Sequence, residues 1–145
     1  MKTVGAVVVV KDDLDLLERN LGHHRSLGVT GFVVCDRGSR DRDTLHEITS
    51  ASDVHLVRQE CERPNDQTMN DFRLEGVIHL RREFNPDWWF PLDTDEFLLP
   101  PPSGLVAALE SLGVTAVCLE RLNAAMTRAE CSKLLASLGA APSPG

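Results

Sequence analysis

The sequence predicts an α/β fold: a doubly wound, mostly parallel sheet with helices on both faces. Three observations predict it. Val4 to Val10 is a run of valine, glycine and alanine without polar alternation, which suits a strand covered on both faces. Strand-like apolar runs then alternate with amphipathic stretches through short connections, and strand–helix–strand repeats build parallel sheets with right-handed crossovers. Finally, charged residues stand where those strands end: Lys11, Asp12 and Asp13, then Asp36, then Arg58, then Asp93, Asp95 and Glu96. Ligands of such sheets sit beyond the carboxyl ends of the strands.

Taken in order, the first strand gives way to Asp12 or Asp13 as a helix cap. Leu14, Leu17, Leu21 and His24 share one face of that helix, and Gly28 ends it. His23 and His24 point apart on a helix, so they read as solvated or partly buried histidines and not as a metal pair. Gly31 to Cys35 is the second strand, ended by Asp36. A polar loop, Arg37 to Asp43, leads to a helix capped by Asp43 or Thr44 and carrying Leu45 and Ile48. Val54 to Val57 is the third strand. After a loop from Glu60 to Gln67, in which Pro64 forbids a helix, Thr68 to Phe84 reads as a helix with Met69, Phe72, Gly76, Leu80 and Phe84 inward. Of its arginines, Arg73, near the helix start, is the ligand candidate. Asn85-Pro86-Asp87 is a turn.

The fourth strand, Trp88 to Leu92, carries an apolar run to three carboxylates, Asp93, Asp95 and Glu96. Gathered carboxylates repel, and burying one unpaired is costly. A hard divalent ion such as Mg²⁺ or Mn²⁺ lowers that cost and completes its shell with water and phosphate oxygens. A solvated acidic turn is the plainer alternative. Beyond it, Pro100 to Pro102 reads as a stiff link and Ser103 as the cap of a helix with Leu105, Val106, Leu109 and Leu112. Val114 to Leu119 reads as a fifth strand, 123–138 as a helix, and 140–145 as a disordered tail after one domain over 1–139.

The composition bounds the function. The chain has 145 residues with 42% hydrophobic and 26% charged content, ordinary for one soluble domain with a core. A net charge of -7 argues against a nucleic-acid partner, which selects a basic face. No apolar run reaches the roughly 20 residues that span a bilayer, and Met1 to Val10 lacks a signal-peptide cleavage site. Cys35, Cys61, Cys118 and Cys131 form no Cys-x-x-Cys pair, so zinc and a disulfide framework are not implied. Reduced cysteines and a cytoplasmic location are the expectation.

Several of these segments together resemble family-two glycosyltransferases of the GT-A fold, in the subgroup with an Asp-x-Asp-Glu-Phe segment. They are Val8-Val9-Val10-Lys11-Asp12-Asp13, His24-Arg25-Ser26-Leu27-Gly28-Val29, Val34-Cys35-Asp36-Arg37-Gly38-Ser39-Arg40-Asp41 and Trp89-Phe90-Pro91-Leu92-Asp93-Thr94-Asp95-Glu96-Phe97-Leu98. The likeness covers roughly residues 3 to 122. It implies a nucleotide-diphosphate sugar as donor, a UDP-sugar being the guess, an unknown acceptor, and Mn²⁺ or Mg²⁺ on the diphosphate. It implies Asp36 and Asp93 near the nucleotide-sugar and Asp95 as the metal-binding acid; with the strand-end residues Lys11, Asp12 and Arg58 and with Arg73 near its helix start, the nucleotide-sugar set is Lys11, Asp12, Asp36, Arg58, Arg73 and Asp93, and the metal set Asp95 with Asp93. Asp36 matches the carboxylate near base or ribose, although a turn-forming aspartate beside Gly38 is the other reading. Glu96 orients Asp95 or the metal's water, or pairs with an arginine.

The chain departs from the family at Arg37, where asparagine is common, and at Arg42-Asp43, where glycine is common. The family also continues further, into the acceptor site and the general base. The resemblance therefore implies a truncated, donor-binding half, with an oligomer formed through exposed apolar surface as a consequence. Two other classes remain in view: a non-catalytic relative that binds a nucleotide or protein partner, and a nucleotidyltransferase. The last would want a glycine-rich, lysine-bearing loop after the first strand, which Lys11-Asp12-Asp13-Leu14 does not supply.

Overall fold

The computed structural model describes residues 1–59, 65–117 and 119. Within them one sheet is formed by β1 (Val4–Val10), β2 (Val29–Asp36), β3 (Val54–Arg58) and β4 (Trp88–Asp93). All its pairings are parallel, in the order β3-β2-β1-β4. Helices α1 (Leu14–Ser26), α2 (Arg42–Thr49) and α3 (Asp66–Glu83) link successive strands, and α4 (Leu105–Ser111) follows β4. The α/β class, the parallel sheet and helices on both faces are as the sequence predicts.

The strand order explains the layers. β1, β2 and β3 step one way across the sheet, whereas β4 returns to the far side of β1. With crossovers of one hand, that reversal sends the connecting helix to the opposite face. Leu14, Leu17 and Leu21 of α1, Leu45 of α2 and Leu105 and Leu109 of α4 pack with Val8, Phe32, Val34 and Phe90 in one core layer. Leu80 of α3 packs with Val7, Val9, Val33 and Cys35 in the other. The alternating strand pleat divides β1 between the two layers, which is why its sequence is apolar throughout. α3 lies close to the sheet because Gly76 has no side chain: a Cβ there would stand 2.6 Å from Val7 Cγ1 and 2.8 Å from Cys35 Sγ.

Several local expectations are corrected. Asp13 sits at the start of α1 but makes no side-chain cap, because the loop is tied through its neighbour Asp12. The cap of α2 is Asp41, whose carboxylate accepts from the Thr44 backbone N–H at 3.0 Å and from its hydroxyl at 2.7 Å. Asn65 caps α3, so that helix starts earlier than its apolar stripe suggests. Gly104, at φ 89°, precedes α4 in place of a Ser103 cap. Gly28, at φ 95°, does end α1. β4 is not covered on both sides: Trp88, Phe90 and Leu92 are buried, while Trp89 and Pro91 are exposed. Proline is tolerated on such an edge. Val114 to Val117 form no strand. The loop 60–64, Cys61, Cys118, Cys131, the helix expected over 123–138 and the tail 140–145 lie outside the described residues.

Candidate functional site

The reversal between β1 and β4 is the place where an open parallel sheet leaves a crevice beyond its strand ends. Asp36 lies level with Val10, and Asp93 with Val9. Two strand spacings, about 10 Å, therefore separate the Asp36 and Asp93 backbones. Asp36 shares the pleat side of Val10, against α1, and Asp93 that of Val9, against α3. The two residues therefore stand on opposite faces of the sheet, on either side of β1.

At the end of β4 the chain makes a tight turn, in which the Glu96 N–H donates to the Asp93 carbonyl at 3.0 Å. This turn gathers the acids. Ligand atoms of Asp93, Asp95 and Glu96 all lie within 4.8 Å of one another. Arg73 of α3 reaches Asp93 Oδ1 at 3.3 Å. The sequence-predicted Arg73, Asp93 and Asp95 are thus brought to one place, with Glu96 beside them.

Asp12 and Asp36 belong to a second group, at the ends of β1 and β2. Asp12 adopts a left-handed backbone (φ 64°), which aspartate tolerates better than most residues. Its N–H donates to Ser39 Oγ at 2.9 Å, and its Oδ1 accepts from the Arg40 N–H at 2.8 Å. That backbone bond, helped by the charges of Arg40 and Lys11, outweighs burial and holds the Asp12 carboxyl below its usual range. Asp36 Oδ1 accepts from the Ser39 N–H at 2.9 Å. The turn-forming role of Asp36 is therefore real, and it uses only one of the two oxygens. Lys11 and Arg58 are exposed at their strand ends, and neither side chain makes a hydrogen bond or ion pair among the described residues.

Sequence reasoning missed two features. The first is a set of buried polar atoms without hydrogen-bond partners among the described residues: Asp36 Oδ2, Arg37 Nε and Gln59 Oε1. Buried polar groups are almost always bonded, so these atoms stand out; the Gln59 amide itself turns to α3, its Nε2 donating to the Phe72 carbonyl at 2.9 Å and to Glu75 Oε2 at 3.0 Å. Gln59 follows β3 and is joined to Asp36 through its N–H, which donates to the Asp36 carbonyl at 2.7 Å. Only its position one residue beyond a strand end signalled it. The second is a polar stripe on the buried face of α1, formed by Asn20, His23 and His24. Far from being solvated, both histidines are buried. Burial, partly opposed by the bond to the Asn20 carbonyl, pushes the His24 imidazole down to about 4, so it is neutral at pH 7.

A groove of about 870 Å³ leads away from the acids along the edge of β4, with Thr115, Ala116 and Val117 on its other wall. It meets the crevice at Asp93, Asp95 and Glu96; Asp12, Asp36, Arg58 and Arg73 do not line it. No described helix is long and apolar enough to cross a membrane. Cys35 is buried without a disulfide.

The molecule is thus an all-parallel α/β protein with an acidic group at its switch point. No family model matches the sequence, and no curated protein matches it.

Proposed function

We propose that the chain binds a nucleotide-diphosphate sugar at the strand ends, together with Mn²⁺ or Mg²⁺, as a family-two glycosyltransferase of the GT-A fold or its donor-binding half. The observation that carries this reading is the convergence of Asp93, Asp95 and Glu96 at the switch point, within 4.8 Å. The donor set is oxygen only, as hard divalent ions prefer. The ligand atoms of the three carboxylates are close enough to share one ion, and Arg73 stands 3.3 Å from Asp93 Oδ1. The residues present therefore fit such an ion.

Asp93 and Asp95 hold the ion, with Glu96 completing or orienting the set. Once bound, the ion stabilises the charge that develops on a departing diphosphate. Asp36 presents its unpartnered Oδ2 to an N–H or O–H of the nucleoside. Lys11 and Arg58, exposed at neighbouring strand ends, supply positive charge without leaving a structural ion pair. Arg73 balances Asp93 and stands near enough to favour phosphate.

The test is calorimetric titration of UDP with and without Mn²⁺, on the native chain, Asp95→Ala and Asp36→Asn. Native binding that needs Mn²⁺ and falls at least tenfold in Asp95→Ala is expected. Asp36→Asn should weaken UDP without weakening Mn²⁺ alone. Equal, metal-independent binding by all three proteins would contradict the reading.

A further inference from the structure

Three polar side chains fill the buried stripe of α1 where apolar ones would serve packing: Asn20 and His24 are fully buried, and His23 is 4% exposed. Their partners lie far away in sequence, in the acidic loop. Asn20 Nδ2 donates to the carbonyls of Glu96 at 2.8 Å, Thr94 at 3.1 Å and Asp93 at 3.4 Å. His24 Nδ1 lies 2.8 Å from the Asn20 carbonyl and 3.0 Å from its Oδ1. A carbonyl only accepts, so Nδ1 carries the proton. His24 Nε2 is then free to accept from the Leu98 N–H at 3.2 Å. His23 Nε2 donates to the Leu98 carbonyl at 2.8 Å. The ring of Phe97 stacks on His24 at 6.1 Å and meets His23 edge-on at 5.3 Å.

We infer that Asn20 and His24 are positioning residues: they grip both ends of the Asp93–Leu98 loop and thereby set the separation of its carboxylates before a cation arrives. Each bond goes to a loop backbone atom, so the grip fixes the loop's path and leaves the carboxylates free to bind. The bonds also fix one another. The protonated Nδ1 of His24 orients the Asn20 amide, whose NH₂ must then face the loop. Mutually repelling carboxylates open a loop unless something holds it, and a preformed set binds an ion without the cost of ordering it. The inference rests on the metal reading above and assigns the determinant of its affinity to α1.

The test is Mn²⁺ affinity, read by the loss of the free-ion electron paramagnetic resonance signal, on the native chain, Asn20→Ser, His24→Gln, Asp95→Asn and the double variant Asn20→Ser/Asp95→Asn. Hydrogen exchange is measured at the Leu98 amide, with the Val8 and Val34 amides as controls for the sheet. Asn20→Ser is expected to weaken Mn²⁺ at least tenfold and His24→Gln at least fivefold, with Leu98 deprotected and the sheet amides unchanged. In the Asp95→Asn background, Asn20→Ser should add no further loss, which general loosening would not produce. Native affinity in whichever of the two single variants remains folded overturns the inference. Absence of Asp95-dependent Mn²⁺ binding in the native chain sinks the metal reading instead. In that case an unchanged Leu98 exchange rate in the variants sinks the grip as well, and deprotection retains it.

Discussion

Acidification from pH 7 to pH 5 is predicted to cost this protein stability through His24 in particular. The unfolded imidazole takes up a proton near 6.5, whereas in the folded chain burial, opposed by the Asn20 carbonyl and aided by nearby His23, lowers the value to about 4. Between those values the unfolded state binds more protons, so stability rises with pH. The contribution is fully present above pH 6.5 and is lost as pH falls through 4. Because the ring is fully buried, no solvent screening discounts it. A displacement of that size amounts to about 2 kcal/mol between pH 7 and pH 5, and about 3 kcal/mol by pH 4. Asp12, Asp41, Asp53 and Asp87, all lowered by hydrogen bonds, weaken the fold in the same direction but only in stronger acid. The pH 7 to 5 window therefore isolates the histidine. Urea unfolding of the native chain and of His24→Gln at both pH values gives two slopes. The native slope should exceed the variant's by about 2 kcal/mol; parallel slopes, whatever the absolute stabilities, would mean that His24 is not held neutral by the fold.

Other outcomes follow from the packing. Gly76→Ala gains helix propensity but forces a Cβ to 2.6 Å from Val7, so thermal unfolding should show a net loss of about 1–2 kcal/mol; a more stable variant would mean that α3 stands off the sheet. Leu80→Ala, at 0% exposure, should cost about 2–5 kcal/mol. Leu74→Ala on the same helix, at 59% exposure, should change urea stability by under about 0.5 kcal/mol. Burial and the nearby Glu75 charge push the Cys35 thiol up to about 12, so peptide mapping after alkylation at pH 8 should find it unmodified until urea unfolds the chain.

The parallel sheet was legible because β1, and β2 up to its last residue Asp36, are apolar at every buried position of both faces, a pattern that only a doubly covered strand needs. The position of the acids was legible for the same reason: the apolar run of β4 ends at Asp93. The exposure of Trp89 and Pro91 was not, since large apolar residues on an edge resemble core until the strand order is known. At α1 and α2 the caps were misplaced because aspartates crowd the candidate start, and which one bonds depends on the loop: Asp12 is committed to Arg40, and Asp41 to Thr44. The polar stripe of α1 escaped for a deeper reason. Asn20 and His24 find their partners 73 to 76 residues away, and helical periodicity carries no information about what lies opposite. Gln59 became visible only when the end of β3 was placed, with its N–H on the Asp36 carbonyl and its amide turned to α3.

Crystals of the chain soaked with Mn²⁺ and UDP, with data collected at the manganese absorption edge, address the metal directly. One anomalous peak is expected within coordination distance of Asp95 and Asp93, with the diphosphate on its open side. A crystal with UDP bound and no such peak, or with the peak away from these carboxylates, would contradict a metal site there.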